Sequence, residues 1–304
     1  MKKGFPFYYY IIAGVLFFLF WLWVAFPEEA VEFRLKQEIQ RATQGLELET
    51  KTADVSPLGS INFGEVKLLD PNLEGKKTLF QAKELDLEVG IFSLLGGGID
   101  LDFYVESSKK GEVDGNYQLD SEQSHLEVEF DEFSSKDVPW INKTSKVKFE
   151  GKLSGRIQLT QSRLGGKIEE GEIDLVLIDF QLLKQQLDLI KFLGPIELPE
   201  IQLTGDSGGE IKATVTNGVC QLKSVKLGGG DIELGLSGTI KMANGFKDLD
   251  FNLNGKIKFI NKKPFEKFLA FIQGARADGS YPIKIVGSTK RRVQFSLGSQ
   301  NFSF

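Results

Sequence analysis

The feature of this sequence that most constrains its fold is an alternation of apolar and polar residues, sustained through most of the chain. The alternating runs lie at residues 85–91, 99–105, 126–130, 157–159, 173–177, 211–215, 232–236, 249–253, 257–259, 283–285 and 293–297. A period of two residues places apolar side chains on one face of a strand and polar side chains on the other. The pattern therefore predicts a mainly β chain with an antiparallel sheet that has one dry face and one wet face.

Glycine-rich and Asn-Gly segments separate the runs, as expected for hairpin turns; examples are 96–98, 217–218 and 228–230. Helical spacing of apolar residues is limited to three segments, about 27–43, 181–193 and 264–273. So little helix would leave much of the sheet uncovered. The apolar face would be shielded by a second sheet, by closure of the sheet on itself, or by curling into a groove that holds lipid, and the pattern alone does not distinguish these.

The N-terminal segment has a continuous apolar stretch instead of an alternating pattern. Phe5–Phe26 contains no charged residue, and 22 residues of helix would span about 33 Å, enough for a bilayer core. Lys2 and Lys3 precede the stretch and acidic residues follow it, which predicts a cytoplasmic N-terminus. A cleaved signal peptide is the alternative, but the apolar core is long for one and Val24-Ala25-Phe26-Pro27 is a poor cleavage site. We expect a retained single-pass anchor.

The amino-acid composition argues against most kinds of catalytic, metal-binding and nucleic-acid-binding site. The 304 residues include one His and one Cys, too few for a structural zinc site or an internal disulfide. The formal net charge of −5 argues against nucleic-acid binding. A Gly-Asp-Ser-Gly-Gly match around Ser207 resembles the nucleophile loop of a serine protease, but His125 would have to act as its base. We interpret the match as a turn, and expect no catalytic residues, no metal and no cofactor.

Several segments resemble known envelope proteins. The anchor, the short helix after Pro27 and the segments 42–48, 56–68 and 80–89 are similar to the start of AsmA-like proteins. Segments 228–240 and 277–288, together with the helix that begins at Phe265, resemble the type II secretion system protein N family. The resemblance implies an inner-membrane protein with a periplasmic β-rich domain that serves the type II secretion machine. It transfers no catalytic residue.

The predicted fold is a single N-terminal transmembrane helix followed by a large, twisted or curled amphipathic antiparallel sheet, an AsmA-like groove, with a few short helices. The predicted parts are a cytoplasmic stub and anchor (1–27), an amphipathic helix (28–45) and a periplasmic β-rich domain (46–304).

The predicted function is that of a non-enzymatic type II secretion component in the bacterial inner membrane, with most of the chain in the periplasm. Its expected partners are that membrane, other subunits of the machine and phospholipid. The alternative is a lipid carrier or envelope tether, and a hydrolase at Ser207 is a weaker third hypothesis. Apolar residues of the alternating runs would line the lipid groove: Leu85, Leu87, Ile99, Leu101, Phe103, Ile232, Leu234, Phe251 and Leu253.

Overall fold

A computed structural model gives the architecture of the chain. It describes residues 14, 16–17, 21, 27–42, 45–57, 59–71, 77–90, 93, 96–139, 148–163, 167–187, 196–206, 208–246, 248–270, 272–290 and 292–303. Most of the predicted anchor lies outside this set; Leu16, Phe17 and Trp21, which lie within it, are helical and exposed. None of the helices among the described residues combines the length and the apolar character needed to cross a bilayer.

The described chain is mainly β, as predicted. Its strands are β1 Glu47–Glu49, β2 Thr52–Val55, β3 Ser60–Asp70, β4 Lys77–Val89, β5 Ile99–Glu106, β6 Glu112–Leu119, β7 Gln123–Ser134, β8 Phe149–Ser162, β9 Ile168–Leu182, β10 Gln185–Leu187, β11 Ile196–Leu198, β12 Ile201–Gln202, β13 Gly209–Thr216, β14 Val219–Leu227, β15 Ile232–Phe246, β16 Leu249–Phe259, β17 Ser280–Ser288, β18 Val293–Leu297 and β19 Gln300–Ser303. The helices are α1 Glu28–Ala42 and α2 Glu266–Leu269, with 3₁₀ turns at Ser135–Asp137 (η1) and Lys263–Phe265 (η2).

Seventeen of these strands form one antiparallel sheet. β1 and β2 both pair with β3, and each strand from β3 to β8 pairs with its successor. β9 then pairs with β12 and β13, and β13 to β19 continue in chain order. Because consecutive strands are neighbours, hairpin turns make nearly every connection. β10 and β11 form a separate two-stranded ribbon.

The register keeps the alternating apolar residues on one face of the sheet. Ile61 pairs with Leu87, Leu87 with Phe103, and the same face continues to the far side of the sheet, where Leu253 pairs with Ile285. Acidic and amide side chains occupy the opposite face. The prediction of one antiparallel amphipathic sheet is therefore confirmed.

The prediction of a twisted or curled, groove-like sheet is not confirmed in its curl. Among the described strands, β1 and β2 at one end do not pair with β19 at the other, and the sheet is neither closed nor strongly curled. Curling was expected because the apolar face needs shielding. The chain instead covers the two ends of that face with two short segments from outside the main sheet.

Helix α1 covers the N-terminal end of the apolar face. The carbonyl of Pro27 accepts the first helical N–H bonds, from Ala30 and Val31, and Gly45 closes the helix by donating to the carbonyl of Gln40. Val31 and Leu35 pack against a buried cluster from β2 to β4, the N-terminal cluster, made of Val55, Ile61, Phe63, Val66 and Ala82. Phe63 is fully buried. The helix is observed over Glu28–Ala42 of the predicted 28–45.

A second segment, residues 263–272, covers part of the C-terminal end; we call it the C-terminal cover. Phe265 packs with Ile201, Ile232 and Phe259, and its ring lies 4.7 Å from that of Phe259. Ile272 joins another cluster with residues of β17 and β18. Among the described residues of the predicted helix 264–273, helix extends to Leu269, and beyond it the carbonyl of Gln273 accepts from the N–H of Ser299.

The helix predicted at 181–193 is wrong in its described part. β9 continues to Leu182, and Gln185–Leu187 forms β10. Gln181 pairs with both Glu150 on β8 and Gln202 on β12, so strand hydrogen bonds on two sides hold the backbone extended. These pairings outweigh the helical spacing of the leucines, which only tertiary context could reveal.

Candidate functional site

The nine residues predicted to line a groove lie on the apolar face, but in two different environments. Leu101 and Phe103 are half-buried on β5, and Ile99 is 38% exposed. In contrast, Leu85 and Leu87 pack against the N-terminal cluster. Ile232, Leu234, Phe251 and Leu253 belong to buried clusters at the C-terminal end or pack against them. Of the nine, Ile99, Leu101 and Phe103 therefore lie outside the buried clusters of the described residues, and the other six belong to the hydrophobic core.

Between the two covered ends, strands β5 to β8 present an apolar surface that we call the apolar floor. It consists of side chains from four consecutive strands: Leu101, Phe103, Tyr117, Leu126, Val128 and Ile157. Direct cross-strand pairs connect them, including Leu101 with Tyr117 and Val128 with Ile157. The ring of Phe103 lies over Gly115, where a Cβ atom would come within 2.1 Å of it. A glycine at this position therefore lets the ring lie flat along the sheet.

The floor has no second layer among the described residues. All six floor side chains are half-buried, and none belongs to a buried cluster of the described chain. On the opposite face, Asn116 and Glu127 fall in the same burial class, whereas Asp102 and Glu129 are exposed. Other apolar residues of these strands, Val105 and Leu159, do pack against buried clusters. Within the described part of the chain, the six floor side chains are therefore the part of this apolar face that no buried cluster covers.

An aromatic wall closes one end of the floor. It consists of Phe80 on β4 and Phe130 and Phe133 on β7, with the Phe80 and Phe133 rings 6.5 Å apart and the Phe130 and Phe133 rings 6.2 Å apart. Three strand spacings, about 14 Å, separate β4 from β7 within the sheet. Contact between Phe80 and Phe133 therefore requires the end of β7 to extend across the β5–β6 turn.

A buried polar cluster fixes that crossing. Asp137 of η1 is 0% exposed, and its carboxylate accepts hydrogen bonds from the hydroxyls of Ser107, which is 1% exposed, and Ser108. The bond from Ser108 is 2.8 Å long. Ser107 also accepts from the backbone N–H of Lys109 at 2.9 Å. These bonds satisfy the buried carboxylate and tie η1 to the β5–β6 turn beside the wall.

Sequence reasoning missed part of this site. Tyr117 was not assigned to the groove, and Leu126, Val128 and Ile157 were recognised only as strand residues. Phe133 falls out of phase with Phe130 because the β7–β8 pairing shifts register between them, where Glu132 adopts a positive φ of 46°. An odd spacing between two aromatic residues of one strand was the available signal for this bulge.

The polar face opposite the floor is acidic. It contains a cleft of about 580 Å³ whose lining includes Asp86, Asp102 and Glu129. Amide groups bridge the carboxylates: Asn62 donates to Asp86 and to Glu84, and Asn116 donates to Asp102 at 2.7 Å. Within the described part of the chain, no group of three or more His, Cys, Asp or Glu could hold a metal ion.

Burial and neighbouring negative charges change the pKa of a tyrosine on this face. Desolvation, followed by the negative charges of Glu112 and Glu106, raises the pKa of Tyr104 above its usual value. Lys83 pairs with Glu106 at 2.6 Å, and this hydrogen bond raises the lysine pKa. The face is thus a solvated charged surface that keeps the polar side of the sheet in water.

The described residues considered for catalysis lie apart from one another. The Nδ1 atom of His125 lies 3.0 Å from the hydroxyl of Thr160, its neighbour on β8. Cys220 is buried in a C-terminal cluster, and burial raises the pKa of its thiol. Ser207 lies outside the described residues, so the prediction of no catalytic site stays a prediction.

Comparisons with known proteins identify no relative. No protein-family model matches the chain, and no curated protein and no solved structure matches it significantly. The predicted resemblance to AsmA-like proteins and to type II secretion system protein N stays a prediction.

Proposed function

We propose that this protein is a non-enzymatic envelope component that holds lipid acyl chains on its apolar floor. The observation that carries this proposal is the apolar floor itself, where Leu101, Phe103 and Val128 are half-buried and outside every buried cluster of the described chain. Apolar faces of this kind are energetically unfavourable in water unless another apolar group covers them.

Lipid is the occupant that best fits the rest of the molecule. Burial of apolar surface contributes roughly 25 cal/mol for each Å², and an acyl chain covers a flat apolar face without needing hydrogen-bond partners. The apolar stretch at Phe5–Phe26 would hold the chain at the bacterial inner membrane, with the sheet on the periplasmic side, close to a supply of phospholipid.

Native mass spectrometry of the full-length chain tests the proposal. The protein is extracted in a mild detergent, and co-purified phospholipid is quantified for the wild type and for two variants of adjacent residues. Val128→Gln places a polar amide in the floor, whereas Glu129→Gln changes the opposite, solvated face. We expect phospholipid on the wild type and on Glu129→Gln, and much less on Val128→Gln.

Circular dichroism on both variants separates lost binding from lost folding. Reproducible absence of phospholipid from the wild-type protein would contradict the proposal. Equal retention of lipid by two folded variants would also contradict it, because the lipid would then be bound somewhere other than the floor.

A role in type II secretion is a second candidate. It is favoured by the placement of the segments that resemble protein N: 228–240 leads into β15, 277–288 leads into β17, and the helix from Phe265 belongs to the C-terminal cover. β15, β16 and β17 are neighbours, so the resembling segments form one contiguous part of the sheet. Other subunits of the machine would then bind this C-terminal part.

Deletion of the gene in its native host tests this role. We expect loss of secreted type II substrates from the culture medium, with those substrates retained in the periplasm. Restoration by the wild-type gene is the control. Normal secretion after deletion, in a host that uses type II secretion, would rule the role out and would leave the lipid-binding proposal to its own test.

A further inference from the structure

The aromatic wall has a consequence for any lipid on the floor. It closes the end of the floor at which β5 finishes, with Phe80 and Phe133 in ring contact at 6.5 Å. Behind it, the buried carboxylate of Asp137 is bonded to Ser107 and Ser108. Movement of the wall would disturb these buried hydrogen bonds, which makes the wall a firm boundary.

The opposite end of the floor has a different character. Ile99, at the start of β5, is 38% exposed, and it pairs with the half-buried Leu119. The six residue steps from Ile99 to Val105 extend about 20 Å along the strand. One leaflet of a bilayer has a hydrocarbon thickness of about 15 Å, half of the full core, so a single acyl chain fits lengthwise on the floor.

We propose that the aromatic wall determines the length of acyl chain that the floor accepts. The methyl end of the chain meets Phe80 and Phe133, and the polar head group leaves the floor beside Ile99. This inference rests on the proposed function, because it assigns an orientation and a length limit to the lipid bound there. When an acyl chain is longer than the floor from the wall to Ile99, its additional methylenes make no contact with the floor.

Competition between saturated fatty acids tests the length limit. The full-length protein in mild detergent is given an equimolar mixture of fatty acids that differ by two methylenes, and native mass spectrometry quantifies each bound species. Phe133→Ala removes one ring of the wall and lengthens the floor. Phe133→Leu is a milder second variant in case the alanine variant does not fold.

The measured quantity is the ratio of variant to wild-type binding at each chain length, since partitioning into detergent cancels from this ratio. We expect the ratio to be flat for short chains and to rise for long ones. Each methylene that gains contact adds up to about fourfold, which corresponds to about 0.8 kcal/mol per buried methylene.

Phe149→Leu is the matched control. Phe149 forms a stacked pair with Phe180, at a centroid distance of 5.6 Å, on β8 and β9, and neither ring belongs to the wall. The ratio of Phe149→Leu binding to wild-type binding should be the same at every fatty-acid chain length. A flat ratio for both folded Phe133 variants would overturn the length limit while leaving lipid binding intact. Absence of every fatty acid from the wild type would overturn the proposed function itself.

Discussion

Substitution of Gly238 tests how tightly the backbone of the sheet is packed. Gly238 lies within β15 at a φ of +143°, and a Cβ atom there would lie 2.2 Å from the backbone carbonyl oxygen of Asn252 on β16. Gly238→Ala would place an L-residue in a region of φ that costs of order 1–3 kcal/mol. Displacing β16 would weaken the ladder at a further cost of about 1 kcal/mol for each hydrogen bond lost. We expect a total destabilisation of about 2–4 kcal/mol.

Gly235 on the same strand is the matched control. It has no atom within 4 Å of its Cβ position. Gly235→Ala should be neutral or stabilising by up to about 1 kcal/mol, because alanine has less conformational freedom in the unfolded chain. Urea denaturation of both variants, followed by circular dichroism, measures the difference. Similar midpoints for the two variants would refute the backbone packing described for β15 and β16.

Three further predictions concern individual groups. Asp137→Ala leaves the Ser107 hydroxyl buried without its acceptor, so the free energy of unfolding should fall by about 1–3 kcal/mol, whereas an unchanged thermal midpoint would contradict the buried cluster. Cys220, buried and with a raised pKa, should react with a maleimide far more slowly in the folded than in the urea-unfolded protein; equal rates would contradict its burial. The backbone N–H groups of Gln123 and Glu122 donate to the carboxylate of Asp120 and lower its pKa. The ionised carboxylate therefore stabilises the folded protein fully at pH values above the unfolded pKa of about 3.9. This stabilisation is lost as the pH falls through the lower pKa of the folded protein. Urea midpoints should show the wild type to be more stable than Asp120→Asn at pH 7, with a smaller difference at pH 3. The same difference at both pH values would contradict the assigned hydrogen bonds.

Much of the fold follows from the sequence because local rules determine it. Alternation placed Leu101 and Phe103 on one face, and Asn217-Gly218 forms a hairpin turn with positive φ values of 52° and 73°. Pro27 and the helical spacing of the apolar residues after it predicted the first helix, and α1 also carries acidic residues in its first turn and Arg41 in its last. Each of these signals acts within a few residues, so no tertiary information was needed.

The location of the open floor could not be predicted, because it depends on which part of the sheet the covering segments reach. Val128 and Leu253 occupy the same kind of alternating run, yet Val128 is half-buried and Leu253 is 7% exposed. The difference comes from packing of distant strands and of the C-terminal cover. Likewise, the odd spacing of Phe130 and Phe133 could have indicated the bulge, but the contact of Phe133 with Phe80 depends on long-range strand pairing.

Photo-crosslinking with a phospholipid that carries a diazirine in its acyl tail tests the central claim most directly. The labelled lipid is bound to the full-length protein and irradiated, and the modified peptides are identified by mass spectrometry. We predict modification on the apolar floor, at peptides that contain Leu101, Phe103 and Leu126. Modification confined to the N-terminal stretch Phe5–Phe26, with none on β5 to β8, would show that the floor does not hold lipid.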